Sequence, residues 1–224
     1  MKTVQCFVFL AATSATMLSL VANSVPAYAG VLFDNGVSDL QAVFPSNPSN
    51  PYIPSESGDD FSLSNAASIT KITWSGIYLF GSLPTDDFSV RLFNMVNGVP
   101  DINPFATLSG SFNRIDSGLK VDPDATLYNH ALMLATPFNI GAGNYLLSII
   151  NNFPADSNDE WGWATHNWLA GNASIRVPGS AWENASAELS FKIEGNTTSI
   201  PTPALLPGLV GFGLSVWRKR KAKA

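Results

Sequence analysis

Leu189-Ser190-Phe191-Lys192-Ile193-Glu194 is the stretch that decides the fold class, because apolar and polar side chains alternate along it one by one. Successive side chains of a β-strand point to opposite faces of a sheet, so this alternation predicts a strand with one buried face. Residues 72–78 and 88–92 repeat the pattern. Tyr145 to Ile150 is apolar on both faces, which is typical of a central strand covered on both sides.

Turn sequences separate these strands at short intervals. Glycine, proline and asparagine supply the backbone conformations that tight turns require, so their clusters predict strand ends. The predicted breaks are Asn35-Gly36, Ser57-Gly58, Asn97-Gly98, Gly141-Ala142-Gly143 and Pro178-Gly179, with a longer loop from Pro45 to Pro54. With no long amphipathic helix between the strands, residues 30–194 are predicted to form one all-β domain, an antiparallel, jelly-roll-like β-sandwich.

Charge is distributed unevenly along the chain. All 17 acidic residues and six of the 12 basic residues lie in the body, which therefore carries a net charge of −11. Such a surface repels nucleic acid, since binding to phosphate requires a basic patch. The single cysteine, Cys6, lies in the N-terminal segment, so the body has no disulfide and no cysteine-based metal site.

Residues 1–29 are predicted to be a signal peptide. Lys2 precedes a short apolar run from Phe7 to Leu20, and Ala27 and Ala29 occupy the small-residue positions that signal peptidase requires before Gly30. The alternative is a retained N-terminal anchor. Serine and threonine residues within the run favour the cleaved signal over a lasting membrane helix.

The C-terminus predicts a second targeting segment, residues 201–224, after a polar linker at 195–200. An apolar helix is expected at 204–217; its 14 residues would span about 21 Å, less than the roughly 30 Å hydrocarbon core. The basic tail 218–223 would stop translocation on the cytoplasmic side. The segment would therefore insert only transiently, although a plain tail anchor is the alternative. Its motif is Pro201, Thr202, Pro203 and Ala204, and its stop-transfer cluster is Arg218, Lys219, Arg220 and Lys221.

This tail resembles a PEP-CTERM sorting signal, which combines a Pro-x-Pro motif, a short apolar helix and a terminal basic cluster. Thr202 stands where that family usually has glutamate, so the motif is similar to the Pro-Thr-Pro-Ala variant. The resemblance implies processing by an exosortase-type membrane transpeptidase in a bacterium that makes exopolysaccharide. It also implies a cell-surface or extracellular location.

The body weakly resembles the uncharacterised sandwich modules that often precede such tails. The resemblance rests on Asp59-Asp60-Phe61-Ser62-Leu63, residues 72–78, Asn97-Gly98-Val99-Pro100 and Trp161-Gly162-Trp163-Ala164. It implies the sandwich fold and the location, and it implies no activity.

Catalytic and metal-binding motifs are absent from the sequence. There is no Gly-x-Ser-x-Gly elbow, and His130 and His166 stand alone without a second ligand at zinc spacing. We therefore expect no enzyme and no cofactor. A hydrolase built on two facing carboxylates is an alternative, with candidates Glu160, Glu183, Glu188 and Glu194. A structural Ca²⁺ is a further alternative, with candidates Asp59-Asp60, Asp86-Asp87 and Asp122-Pro123-Asp124.

Tryptophans supply the remaining binding signal. Trp161 and Trp163 are two residues apart and so share one face of a strand, with Trp168 and Trp182 following. Exposed indoles could stack on sugar rings while Asn151, Asn152 and Asn158 bond hydroxyls; buried indoles would instead fill the core. Two functions follow, a non-enzymatic exported envelope or matrix protein and, as the alternative, a carbohydrate-binding module for exopolysaccharide.

Overall fold

The computed structural model describes residues 29–79, 86–122, 125–153 and 160–197. The signal segment with Ala27 lies outside the described residues. So do the sorting motif Pro201 to Ala204 and the basic cluster Arg218 to Lys221.

The described part of the chain consists of strands joined by turns and loops, without a helix. In chain order the strands are β1 (Gly30–Asp34), β2 (Val43–Pro45), β3 (Glu56–Leu63), β4 (Ala67–Tyr78), β5 (Phe88–Val96), β6 (Val99–Pro100), β7 (Ala106–Leu108), β8 (Gly110–Asp122), β9 (Ala125–Ile140), β10 (Gly143–Asn151), β11 (Trp161–Asn167), β12 (Ser174–Arg176), β13 (Glu183–Asn184), β14 (Glu188–Leu189) and β15 (Phe191–Thr197). Among these residues, no helix is long and apolar enough to cross a membrane.

The strands form two antiparallel sheets, as the sequence predicted. Sheet 1 has the order β1-β15-β4-β11-β14, with β9 and β8 continuing from β4 and with β2 paired to β11. Sheet 2 has the order β13-β12-β3-β10-β5-β6, with β7 also paired to β5. Apolar side chains from both sheets meet in one continuous core, so the prediction of an all-β, two-sheet domain is confirmed.

The alternating pattern is confirmed along β15, where Phe191 and Ile193 are buried in the core and Lys192 and Glu194 are partly exposed. The predicted strand is interrupted at Ser190, which is buried, so Leu189 belongs to β14. Strand β10 lies between β3 and β5, and its apolar residues from Leu146 to Ile150 are buried on both faces. The prediction of a doubly covered central strand is therefore correct.

Two of the predicted turns show where the sequence pattern succeeds and where it fails. Asn97 and Gly98 form the tight β5–β6 turn with φ values of 53° and 79°, the left-handed conformation that these residue types tolerate. Ser57-Gly58, in contrast, lies inside β3, so the turn prediction there is wrong. A Cβ on Gly58 would lie 2.6 Å from Leu146 Cδ2, so the glycine serves close packing of two neighbouring strands.

The predicted linker also begins too early. Residues 195–197 continue β15 and pair with Ile69, Ser68 and Ala67 of β4. Gly195 pairs in addition with Gly30 of β1. The folded body therefore extends to Thr197 because both neighbouring strands offer backbone partners that a polar side-chain composition does not reveal.

Candidate functional site

Trp161 and Trp163 are both 0% exposed, so the hypothesis that they form a glycan platform is wrong. They do share one face of β11, but that face is the inner one. The Trp163 indole Nε1 donates to the backbone oxygen of Ser190 at 3.0 Å, and the Trp161 ring packs edge-on against Phe88 at 5.0 Å. The interpretation that these tryptophans fill the core is the correct one.

Trp168 is the one member of the predicted trio that reaches the surface, with 46% of the residue exposed. It lies just after β11, where its ring packs against Phe44 at 5.9 Å. Its backbone nitrogen donates to Asp39 Oδ2 at 2.9 Å. Trp168 stays a candidate for stacking, but without the two neighbours expected beside it.

His130 lies in an aromatic pocket of the core and not at the surface. Its ring stacks on Trp74 at 5.6 Å, and its Nε2 has no hydrogen-bond partner among the described residues. Burial lowers the pKa of His130 to about 3, with the nearby Arg114 charge acting in the same direction. The imidazole is therefore neutral at physiological pH and is part of the packing. His166 is exposed, with its Nδ1 2.8 Å from the Val37 oxygen.

Three of the predicted acidic residues come together at the edge of the sandwich. Carboxylate oxygens of Asp59 and Asp60 on β3 and of Glu188 on β14 all lie within 4.8 Å of one another. Asn35 Nδ2 donates to Asp59 Oδ2 at 2.9 Å and to Glu188 Oε2 at 2.8 Å. An amide donor thus already binds oxygens that a cation would use, and Ca²⁺ at this cluster stays a prediction.

Asp59 is the most perturbed carboxyl of this cluster. Its side chain is fully buried between the sheets, and its Oδ2 accepts from Leu189 N at 2.6 Å. Burial raises the pKa of Asp59 to about 9, and the neighbouring Glu188 and Asp60 charges add to the rise. The cluster therefore holds a proton at neutral pH.

The remaining acidic candidates form no facing pair in the described residues. Glu194 is bound by Lys71 at 2.7 Å on the outer face of sheet 1. Glu183 is exposed on β13. The pKa of Glu160 is raised by partial burial. Asp86 accepts from Tyr78 Oη and, at 2.8 Å, from Arg114 Nη1, which gives it protein partners where Ca²⁺ was expected.

A cleft of about 350 Å³ opens on the outer face of sheet 2. Trp182 lines it on one side, and the β5–β6 hairpin contributes Met95, Val99 and Pro100. Polar side chains from β3, β12, β13 and the preceding loop complete the lining: Asp60, Ser174, Asn184 and Asn172. No lysine or arginine lines this cleft.

The Trp182 ring is fixed by three contacts. The Arg176 guanidinium carbon lies 4.2 Å above the ring centroid, and Phe93 packs edge-on at 5.3 Å. The indole Nε1 donates to the Asp101 oxygen at 3.1 Å. These contacts hold an aromatic wall rigidly beside the cleft.

Arg176 is itself anchored by a buried ion pair. It lies directly opposite Glu56 in the β12–β3 pairing, and its Nε and Nη2 donate to Glu56 Oε2 at 2.9 and 2.7 Å. Ser148 Oγ donates to the other Glu56 oxygen at 2.9 Å. This network connects the wall of the cleft to the central strand β10.

A larger cleft of about 560 Å³ follows the outer face of sheet 1. Its basic residues are already paired, Lys71 with Glu194 and Lys192 with Asp34. Its aromatic residues, Trp74 and Phe191, are buried. This cleft therefore lacks the flat aromatic surface that sugar stacking requires.

Sequence reasoning mentioned Trp182 without singling it out. The sequence marks it only as a tryptophan two residues before Asn184 and shortly after the Pro178-Gly179 turn. Asp60 lies far away in the sequence, so only the fold brings it to the same cleft. Comparison of the chain with protein-family models, with curated proteins and with solved structures finds no match.

Proposed function

We propose that this chain is an exported bacterial envelope or extracellular-matrix protein, sorted to the cell surface by an exosortase-type transpeptidase. The observation that carries the proposal is the order of features in the last 24 residues. The Pro201-Thr202-Pro203 motif, a run of 14 mainly apolar residues and a basic cluster follow one another up to the terminus. Each feature alone is common, whereas the order of the three resembles that of a PEP-CTERM sorting signal.

The extent of the body supports processing at both ends. Strand β1 begins at Gly30, the first residue after the proposed signal-peptidase site, and β15 ends at Thr197, before the Pro-Thr-Pro motif. Removal of both targeting segments would therefore leave every described strand intact. We include in this proposal a jelly-roll-like connectivity of the strands and an apolar helix at 204–217.

We also propose that the body acts by binding and not by catalysis. A glycosidase needs two carboxyl groups facing each other across a cleft. Asp60 lines the Trp182 cleft, but Asp59 and Glu188 do not, and Asp59 is buried. The second candidate function, a carbohydrate-binding module, is favoured by the rigid Trp182 wall.

Substitution of the motif in the native host tests the sorting proposal. Pro201→Ala combined with Pro203→Ala should leave the protein in the inner-membrane fraction, whereas Ser199→Ala, a nearby control, should reach the surface as the wild type does. Deletion of the transpeptidase should reproduce the double variant. Unchanged surface delivery in both cases would contradict the proposal.

A further inference from the structure

We propose that the Trp182 cleft binds a glycan of neutral or amino sugars. The inference deepens the proposed function by naming a partner for the exported body, and it rests on that function for the location. The sugar site is thus proposed on the outer face of sheet 2 and not at Trp161 and Trp163, which are buried.

The shape of the Trp182 cleft suits a sugar ring. A pyranose ring presents a flat face of C–H groups that stacks on an indole, and a rim of hydroxyls that needs polar partners. The cleft offers both, since Trp182 forms one wall and the β5–β6 hairpin adds Val99, which is 60% exposed. Val99 thus adds an apolar surface beside the aromatic wall.

Polar side chains around the cleft can form hydrogen bonds with sugar hydroxyls. Asn172 and Asn184 are exposed, and Asp60 is half-buried. Asn184 Oδ1 accepts from Ser186 N at 2.7 Å, which fixes the orientation of the amide. Amides and a carboxylate spaced around an aromatic wall match the alternating donors and acceptors of sugar hydroxyls.

The charge of the cleft is negative. Asp60 lines the cleft, whose lining contains no lysine or arginine, and a Glu188 carboxylate oxygen lies within 4.8 Å of its own. The body carries −11 in total. A uronic-acid or sulfated glycan would be repelled, whereas an amino sugar would be attracted to Asp60.

The aromatic wall of the cleft is rigid. Binding is weakened by every side chain that becomes ordered on contact. Trp182 is already held by Arg176, Phe93 and the Asp101 oxygen. The stacking surface is therefore in place before a ligand arrives.

The test is isothermal titration of the full-length chain, purified in mild detergent, with three oligosaccharide probes. These are laminarin fragments (neutral), chitosan fragments (cationic) and alginate fragments (anionic). We expect binding of the laminarin or chitosan fragments and none of alginate. Trp182→Ala should weaken that binding about tenfold or more, and Asn184→Ala, at an exposed site, should weaken it about fivefold.

Tyr52→Ala is the matched control, because it removes an aromatic ring that is 76% exposed and lies outside the cleft lining, and it should leave the titration unchanged. Circular dichroism of each variant establishes that it is folded. Three outcomes would overturn the proposal: no binding of either the laminarin or chitosan fragments, equal binding of alginate, or full binding by the folded Asn184→Ala and Trp182→Ala variants. Since the titration uses purified protein, its failure would leave the sorting proposal standing.

Discussion

Gly30 lies directly opposite Gly195 in the antiparallel pair of β1 and β15, so the first and last strands of the body are neighbours. Strand β15 is held on its other side by β4. The two described ends of the body therefore belong to neighbouring strands of sheet 1. Removal of either targeting segment does not disturb a buried strand.

Truncation tests where the folded body ends. A chain of residues 30–197 should unfold at the same urea concentration as the processed protein. Ending the chain at Glu194 removes the pairs that residues 195–197 form with β4 and β1, and should cost about 2–3 kcal/mol at roughly 1 kcal/mol per lost hydrogen bond. Equal stability of both fragments would mean that residues 195–197 are a linker after all.

Asp59 predicts a loss of stability as pH rises. Its folded-state pKa of about 9 lies above the ordinary value of 3.8, so the folded protein retains a proton that the unfolded chain releases. The contribution is complete below pH 4 and declines toward pH 9, by at most about 1.4 kcal/mol per pH unit. Urea unfolding at a series of pH values measures this slope.

Glu188→Gln should flatten that slope. The Glu188 charge raises the pKa of both Asp59 and Asp60, so its removal should stabilise the protein at pH 8 by about 1 kcal/mol. Glu183→Gln, which changes an exposed glutamate on β13, is the control and should have no effect. A steeper slope in Glu188→Gln would contradict this account of the cluster.

Trp161 and Trp168 predict opposite outcomes of the same substitution. Trp161→Ala empties a fully buried site beside Phe88 and His130 and should cost about 3–5 kcal/mol. Trp168→Ala removes a ring that is half in solvent and should cost about 1 kcal/mol or less. Chemical denaturation of both variants measures the two costs, and similar values would be incompatible with a buried Trp161.

The Glu56–Arg176 pair predicts a large cost for a small change. Glu56→Gln leaves the buried Arg176 charge without its carboxylate and should destabilise the protein by about 3 kcal/mol. Lys71→Gln breaks the more exposed pair with Glu194 and should cost less than about 1 kcal/mol. Denaturant midpoints of the two variants rank the costs, and the reverse ranking would contradict a buried network.

The strand pattern could be predicted because it depends on neighbours in sequence. Phe191 and Ile193 must share a face wherever the strand lies, and Asn97-Gly98 can form a tight turn by itself. Ser57-Gly58 is also a small polar residue followed by glycine, but its place in a strand is decided by Leu146 of the neighbouring strand. The sequence contains no sign of that contact.

The binding residues were harder to predict for the same reason. The spacing of Trp161 and Trp163 correctly places them on one face of β11, but which face is buried depends on the sheet packed against it. The Trp182 cleft combines residues from five strands and their loops. A single sequence identifies the residue types in such a site, and only the fold brings them together.

Intact-mass measurement of the protein collected from the cell surface and the medium tests the central claim of export and processing most directly. The account predicts a species that begins at Gly30 and lacks the basic residues 218–223. An untrimmed chain from Met1 to Ala224, recovered folded from the cytosol, would contradict it.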